Sequence, residues 1–72
     1  MNKYAQLWNW IRKNGQDSFK LTFDEIGKIA GVPIDHSFLT YKKELAEYGY
    51  SVKKISLKEK TIAFEKINLS EV

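Results

Sequence analysis

The sequence predicts a small α+β domain in the order helix, strand, helix, helix, strand, strand, closing on a C-terminal β-hairpin. Three observations predict it. Apolar residues recur at helical spacing in three separate stretches, a glycine follows each of them, and the last third alternates β-branched and aromatic residues with lysine and glutamate.

From Lys3 to Asn14, residues Tyr4, Leu7, Trp8 and Ile11 follow the i, i+3, i+4, i+7 spacing that lines one face of a helix. Gly15 closes it, because glycine adopts the left-handed conformation that satisfies the last carbonyls. Trp10 falls off the stripe, either to cover the edge of the core or to stand as an exposed contact. The segment "SFKLTF" alternates Phe19, Leu21 and Phe23 with polar neighbours, which is the period of a half-buried strand. Thr22 stands three residues before Glu25, the spacing of a capping box, so a helix should begin near Phe23. Phe23, Ile26, Ile29 and Ala30 supply its inner face, and Gly31 with Pro33 stops it.

After the turn "GVPI", Asp35 caps the next helix, expected to be the longest and to run through His36, Phe38, Tyr41, Leu45 and Tyr48 to Gly49. Phe38, Tyr41, Leu45 and Tyr48 share its apolar stripe. His36, Thr40, Lys43 and Glu47 lie opposite, facing solvent or a partner. The remainder, "YSVKKISLKEKTIAFEKI", reads as a hairpin split around "LKEK". Tyr50 and Val52 share one face and Ile55 and Leu57 the other, a phase change that predicts a bulge near Lys53 and Lys54. Ile62 and Phe64 resume a regular inward set, and the tail "NLSEV", residues 68–72, is expected to fray.

Residues 1–72 form one domain on this reading, since a chain this short buries about 60% of its unfolded surface and has no room for a second core. Cysteine is absent, so no disulfide or thiolate staple is available and nothing argues for a secreted, oxidising setting. Ten aromatic residues must carry the core instead. The start lacks the continuous apolar region of a signal peptide and no stretch approaches a membrane span, so a cytoplasmic protein with no membrane partner is expected.

Helix, strand, helix, four-residue turn with glycine, helix and hairpin is an order that resembles the winged helix-turn-helix domain over nearly the whole chain. The resemblance implies that Asp35 to Tyr48 is a recognition helix and Tyr50 to Ile67 a wing, with Lys58, Glu59 and Lys60 at its tip. The stretch from Leu21 to Ile67 also resembles a family of small uncharacterised bacterial proteins, some on mobile elements. Its members combine a Leu-Thr-Phe-x-Glu-Ile segment with a C-terminal hairpin ending in Phe. That family implies a single domain and a bacterial cytoplasm, and brings no assigned activity.

The function expected is nucleic-acid binding, with DNA the first candidate partner. His36, Ser37, Thr40 and Lys43 are the candidate contacts on the helix, because they donate to phosphates or base edges. Lys53, Lys54, Lys58 and Lys60 supply sequence-independent attraction from the wing. The net charge of +3 falls entirely within Lys42 to Lys66, which holds seven lysines and four glutamates. Two features oppose specific reading. The helix carries no Arg, Asn or Gln, whose paired groups match purine edges, and Asp35, Glu44 and Glu47 repel phosphate. A single surface lysine usually does no more than keep a small protein solvated, so only the group carries weight.

Catalysis is not expected. One histidine and no cysteine leave no histidine metal cluster and no thiol nucleophile, and His36 beside Ser37 is no dyad because helical neighbours point about 100° apart. Capping explains Glu25 beside Asp24, and the glycines Gly15, Gly31 and Gly49 read as caps rather than a phosphate loop. No cofactor, metal or small-molecule substrate is called for, and the oligomeric state is left open. The alternative function is a protein-interaction module using an exposed aromatic patch that includes Trp10 and Tyr50.

Overall fold

A computed structural model describes residues 3–67, and the expectation for the tail at 68–72 lies outside the described residues. The chain runs through α1 (Ala5–Asn14), β1 (Ser18–Thr22), α2 (Phe23–Ala30), α3 (Ser37–Tyr41), a 3-10 helix (Lys42–Tyr48), β2 (Tyr50–Ser56) and β3 (Thr61–Lys66). The architecture is α+β, with helices packed on a three-stranded antiparallel sheet of order β1-β3-β2. Because β3 lies in the middle, the last strand of the sequence ties the first strand to the hairpin.

The stripe of α1 is the centre of the core. Tyr4, Leu7, Trp8 and Ile11 are all fully buried and meet Leu21, Ile26, Ala30, Phe38, Leu45, Tyr50, Ile62 and Phe64 in one cluster. Tyr4 packs edge-on to Phe38 with centroids 5.4 Å apart, and Phe19 stacks on Phe64 at 5.3 Å, so aromatic contacts replace the missing covalent staples. The buried indole N–H of Trp8 finds no hydrogen-bond acceptor among the described residues. Trp10 is exposed, at 39%, with its ring edge-on to Phe19 at 6.4 Å.

Thr22 opens α2 with both bonds of the capping box: its hydroxyl accepts from the Glu25 amide at 3.0 Å, and the Glu25 carboxylate accepts from the Thr22 amide at 2.8 Å. The phase change in β2 is a bulge. Val52 pairs with Phe64 and Lys54 with Ala63, which leaves Lys53 as the extra residue. "LKEK" forms the hairpin turn, and Leu57 belongs to that turn, 77% exposed, rather than to a strand face shared with Ile55.

The segment expected as one long helix is two. Only Ser37–Tyr41 is α-helical, and Lys42–Tyr48 winds as a 3-10 helix, so α1 is the longest helix among the described residues. The tighter winding advances about 2.0 Å per residue and eclipses side chains three apart, so Lys42, Leu45 and Tyr48 fall in one row. Leu45 is fully buried in that row. A single residue, Gly49, then joins this segment to β2, with φ at 87° and its amide bonded to the carbonyls of Ala46 and Leu45. The segment packs against both β2 and α1 over this short connection.

Candidate functional site

Asp35 lies one residue before the observed N-cap, His36, which makes no side-chain cap bond, yet it still supplies acceptors to the helix start. Its carboxylate accepts from the Ser37 amide at 2.8 Å and from the Ser37 hydroxyl, and its carbonyl accepts from the Phe38 amide at 3.0 Å. On its other side, Lys3 donates to Oδ2 at 2.7 Å. The hydrogen bond from Lys3, reinforced by those from Ser37, holds the Asp35 carboxyl well below its ordinary range. The same contact raises Lys3. Two consequences follow for the helix face: the Ser37 hydroxyl spends its proton on the cap, and the negative charge at the helix start is already paired.

His36, Thr40, Lys43 and Glu47 are all exposed, as the periodicity requires. On the hairpin, the bulge does something strict alternation cannot. It leaves Lys53 and Lys54 exposed at consecutive positions, where an unbroken strand turns one of every two residues inward. Lys58 and Lys60 are exposed in the turn. Lys53 lies 4.0 Å from Glu65, whereas Lys43, Lys54, Lys58 and Lys60 have no carboxylate within 4.0 Å among the described residues. Glu59, in the same turn, lies 4.0 Å from Lys20.

The turn is fixed to the helical layer. The Lys60 carbonyl accepts from the Phe23 amide at 2.8 Å, at the first residue of α2, and the Ser56 hydroxyl accepts from the Glu59 amide at 3.2 Å. Lys60 itself takes φ of 56°, the left-handed region that a non-glycine residue enters at a cost. The structure thus brings the start of α3 and the end of the hairpin onto a common groove of about 270 Å³, lined by Phe23, Ile34, Leu39, Ile55, Leu57 and Ile62, with Asp35 and His36 as polar members of its lining.

Sequence reasoning missed this groove. Its signal was two leucines in polar company, Leu39 beside Thr40 and Leu57 in "LKEK". They are 55% and 77% exposed, the most exposed large hydrophobic residues described. The aromatic patch of Trp10 and Tyr50, by contrast, does not form. Tyr50 is 2% exposed, packs on Phe19 at 6.1 Å and donates its hydroxyl to the Gln16 carbonyl at 2.8 Å, because the inward phase of β2 begins with it.

Among the described residues no helix is long and apolar enough to cross a membrane, and no group of three or more His, Asp or Glu side chains is gathered to hold a metal ion. No protein-family model, curated protein or solved structure matches the chain.

Proposed function

We propose that this chain is a nucleic-acid-binding protein of winged-helix type, without catalytic activity, that holds the phosphate backbone through its hairpin. The observation that carries this reading is the lysine set at the hairpin: Lys53, Lys54, Lys58 and Lys60 are exposed, and three of the four lack a carboxylate within 4.0 Å among the described residues. The element order and the β1-β3-β2 sheet support the winged-helix part. A cytoplasmic setting accords with the lack of cysteine.

The geometry favours backbone attraction over base reading. Only five residues of the presumed recognition segment are α-helical, the segment offers no Arg, Asn or Gln, and the Ser37 proton is committed to Asp35. His36, Thr40 and Lys43 then serve as flanking phosphate contacts rather than a sequence code. The test is a fluorescence-anisotropy titration of random-sequence duplex at several salt concentrations. Four phosphate contacts give a slope of log affinity on log salt of about −3.6, and Lys58→Ala with Lys60→Ala halves it to about −1.8. Absence of binding at low salt, or an unchanged slope in the double variant, overturns the proposal.

A further inference from the structure

We infer that the phosphate backbone held at the hairpin runs on across the sheet face turned away from the helices, as far as Lys20 of β1. The inference rests on the nucleic-acid reading above and adds to it a site on a different strand. Register carries it. Lys20 pairs with Ala63 and Ala63 with Lys54, so two lysines flank one alanine in a single row across all three strands. Leu21, Ile55, Ile62 and Phe64, the neighbours of this row along the strands, pack into or against the core, which leaves the row on the opposite face. The bulge at Lys53 is what turns Lys54 outward into it.

Charge and shape select the ligand. A carboxylate between the two lysines would lie directly opposite both and pair with each. Alanine stands there instead. Lys54 has no carboxylate within 4.0 Å among the described residues, and Lys20 has only Glu59, at 4.0 Å with both side chains largely exposed. Cross-strand neighbours on one face have Cβ atoms about 5 Å apart, within the span of a lysine side chain, so both ammonium groups can close over the alanine. The row on one side, Ser18, Glu65 and Ser51, holds a single carboxylate, and Lys53 lies 4.0 Å from it. The row on the other side, Thr22, Thr61 and Ser56, leads to the turn that carries Lys58 and Lys60. These three rows therefore offer cations among small hydroxyl side chains, with no apolar group larger than alanine. A protein segment or an acyl chain finds nothing there to bury against, whereas a phosphate backbone needs only cations and hydroxyl donors on a flat surface.

The test follows random-duplex affinity against salt by fluorescence anisotropy, in the full chain and in variants whose fold is checked by circular dichroism. Lys20→Gln should make the slope of log affinity on log salt about 0.9 shallower, the share of one phosphate. Ala63→Glu sets a carboxylate between the lysines and should make it about 1.8 shallower, as should Lys20→Gln with Lys54→Gln if Ala63→Glu does not fold. Ala63→Gln, of the same size without the charge, should leave the slope unchanged. So should Lys28→Gln, which removes an exposed lysine from the helical layer. A wild-type slope in Lys20→Gln overturns the inference while the Lys58 and Lys60 variant still decides the nucleic-acid reading; no wild-type binding at low salt overturns both. A change in Ala63→Gln equal to that in Ala63→Glu, or in Lys28→Gln equal to that in Lys20→Gln, overturns the inference by assigning the effect to side-chain bulk or to net charge. The wild type is also sedimented with phosphatidylcholine vesicles containing about 30% phosphatidylserine. Vesicle binding that exceeds duplex binding at the same salt and is lost in Lys20→Gln assigns the face to a membrane surface and overturns the inference equally.

Discussion

Replacing Thr22 by Ala tests the joint on which the site depends, because Thr22 ends β1, pairs with Thr61 of β3 and opens α2, whose first residue lines the groove. The substitution removes the oxygen that accepts from the Glu25 amide at 3.0 Å and leaves the bond from the residue 22 backbone amide to the Glu25 carboxylate, 2.8 Å, without its reciprocal partner. Loss of an N-cap of this kind costs about 1 kcal/mol. With an unfolding entropy of about 2.1 cal/mol/K per residue, a chain of this length has roughly 150 cal/mol/K at its midpoint, so Tm should fall by about 7 °C. Thermal and urea melts followed by circular dichroism measure it. Thr22→Ser keeps the oxygen and should lose less than about 0.5 kcal/mol, while Thr22→Ala and Glu25→Ala should couple by about 0.5 kcal/mol or more in a double-mutant cycle. The reasoning is refuted if Thr22→Ser loses as much as Thr22→Ala, which assigns the loss to strand packing, or if the two alanine effects simply add.

Two further outcomes follow from the same region. Asp35 is held below its ordinary pKa of 3.8, chiefly by Lys3, so its contribution to stability is fully present above that value and disappears as pH falls through the lower folded value. Asp35→Asn should therefore lower the urea midpoint more at about pH 7 than at about pH 3, with the difference shrinking in high salt; a gap independent of pH contradicts the assignment. Lys60 pays for its φ of 56° with a side chain that disfavours it, so Lys60→Gly should raise stability by about 1 kcal/mol in a urea melt while reducing duplex affinity. A Lys60→Gly protein no more stable than wild type shows the turn to be unstrained.

Elements whose cause is local were legible in the sequence. Thr22 and Glu25 interact across one turn, so their spacing alone placed the start of α2. The bulge at Lys53 was legible because the side-chain period of a strand is two, and a one-residue slip is the simplest way for Tyr50 and Val52 to face inward before Ile55 changes phase. The 3-10 winding of Lys42–Tyr48 was not, since periods of 3.0 and 3.6 both put Leu45 and Tyr48 near the same side over so few residues. Tyr50 escaped because a tyrosine at a strand start is buried or exposed according to its hydroxyl's partner, here a carbonyl 34 positions earlier. The groove escaped for a similar reason. Leu39 and Leu57 are distant in sequence, each unremarkable alone, and the long-range pairing of β1 with β3, extended by the Phe23–Lys60 backbone bond, brings the turn against the helical layer.

The hairpin's charge and its packing respond differently to the medium, which gives the proposed phosphate contacts a signature of their own. Raising salt from about 50 to 200 mM costs a four-phosphate contact roughly a hundredfold in affinity. Apolar burial, at about 25 cal/mol per Å², is scarcely altered by such a change, so the fold that presents the lysines should persist over the range in which duplex affinity collapses. The bulge is what combines the two: without Lys53 as the extra residue, the inward phase of Tyr50 and Val52 would carry through Lys54 and leave Ile55 facing away from the groove.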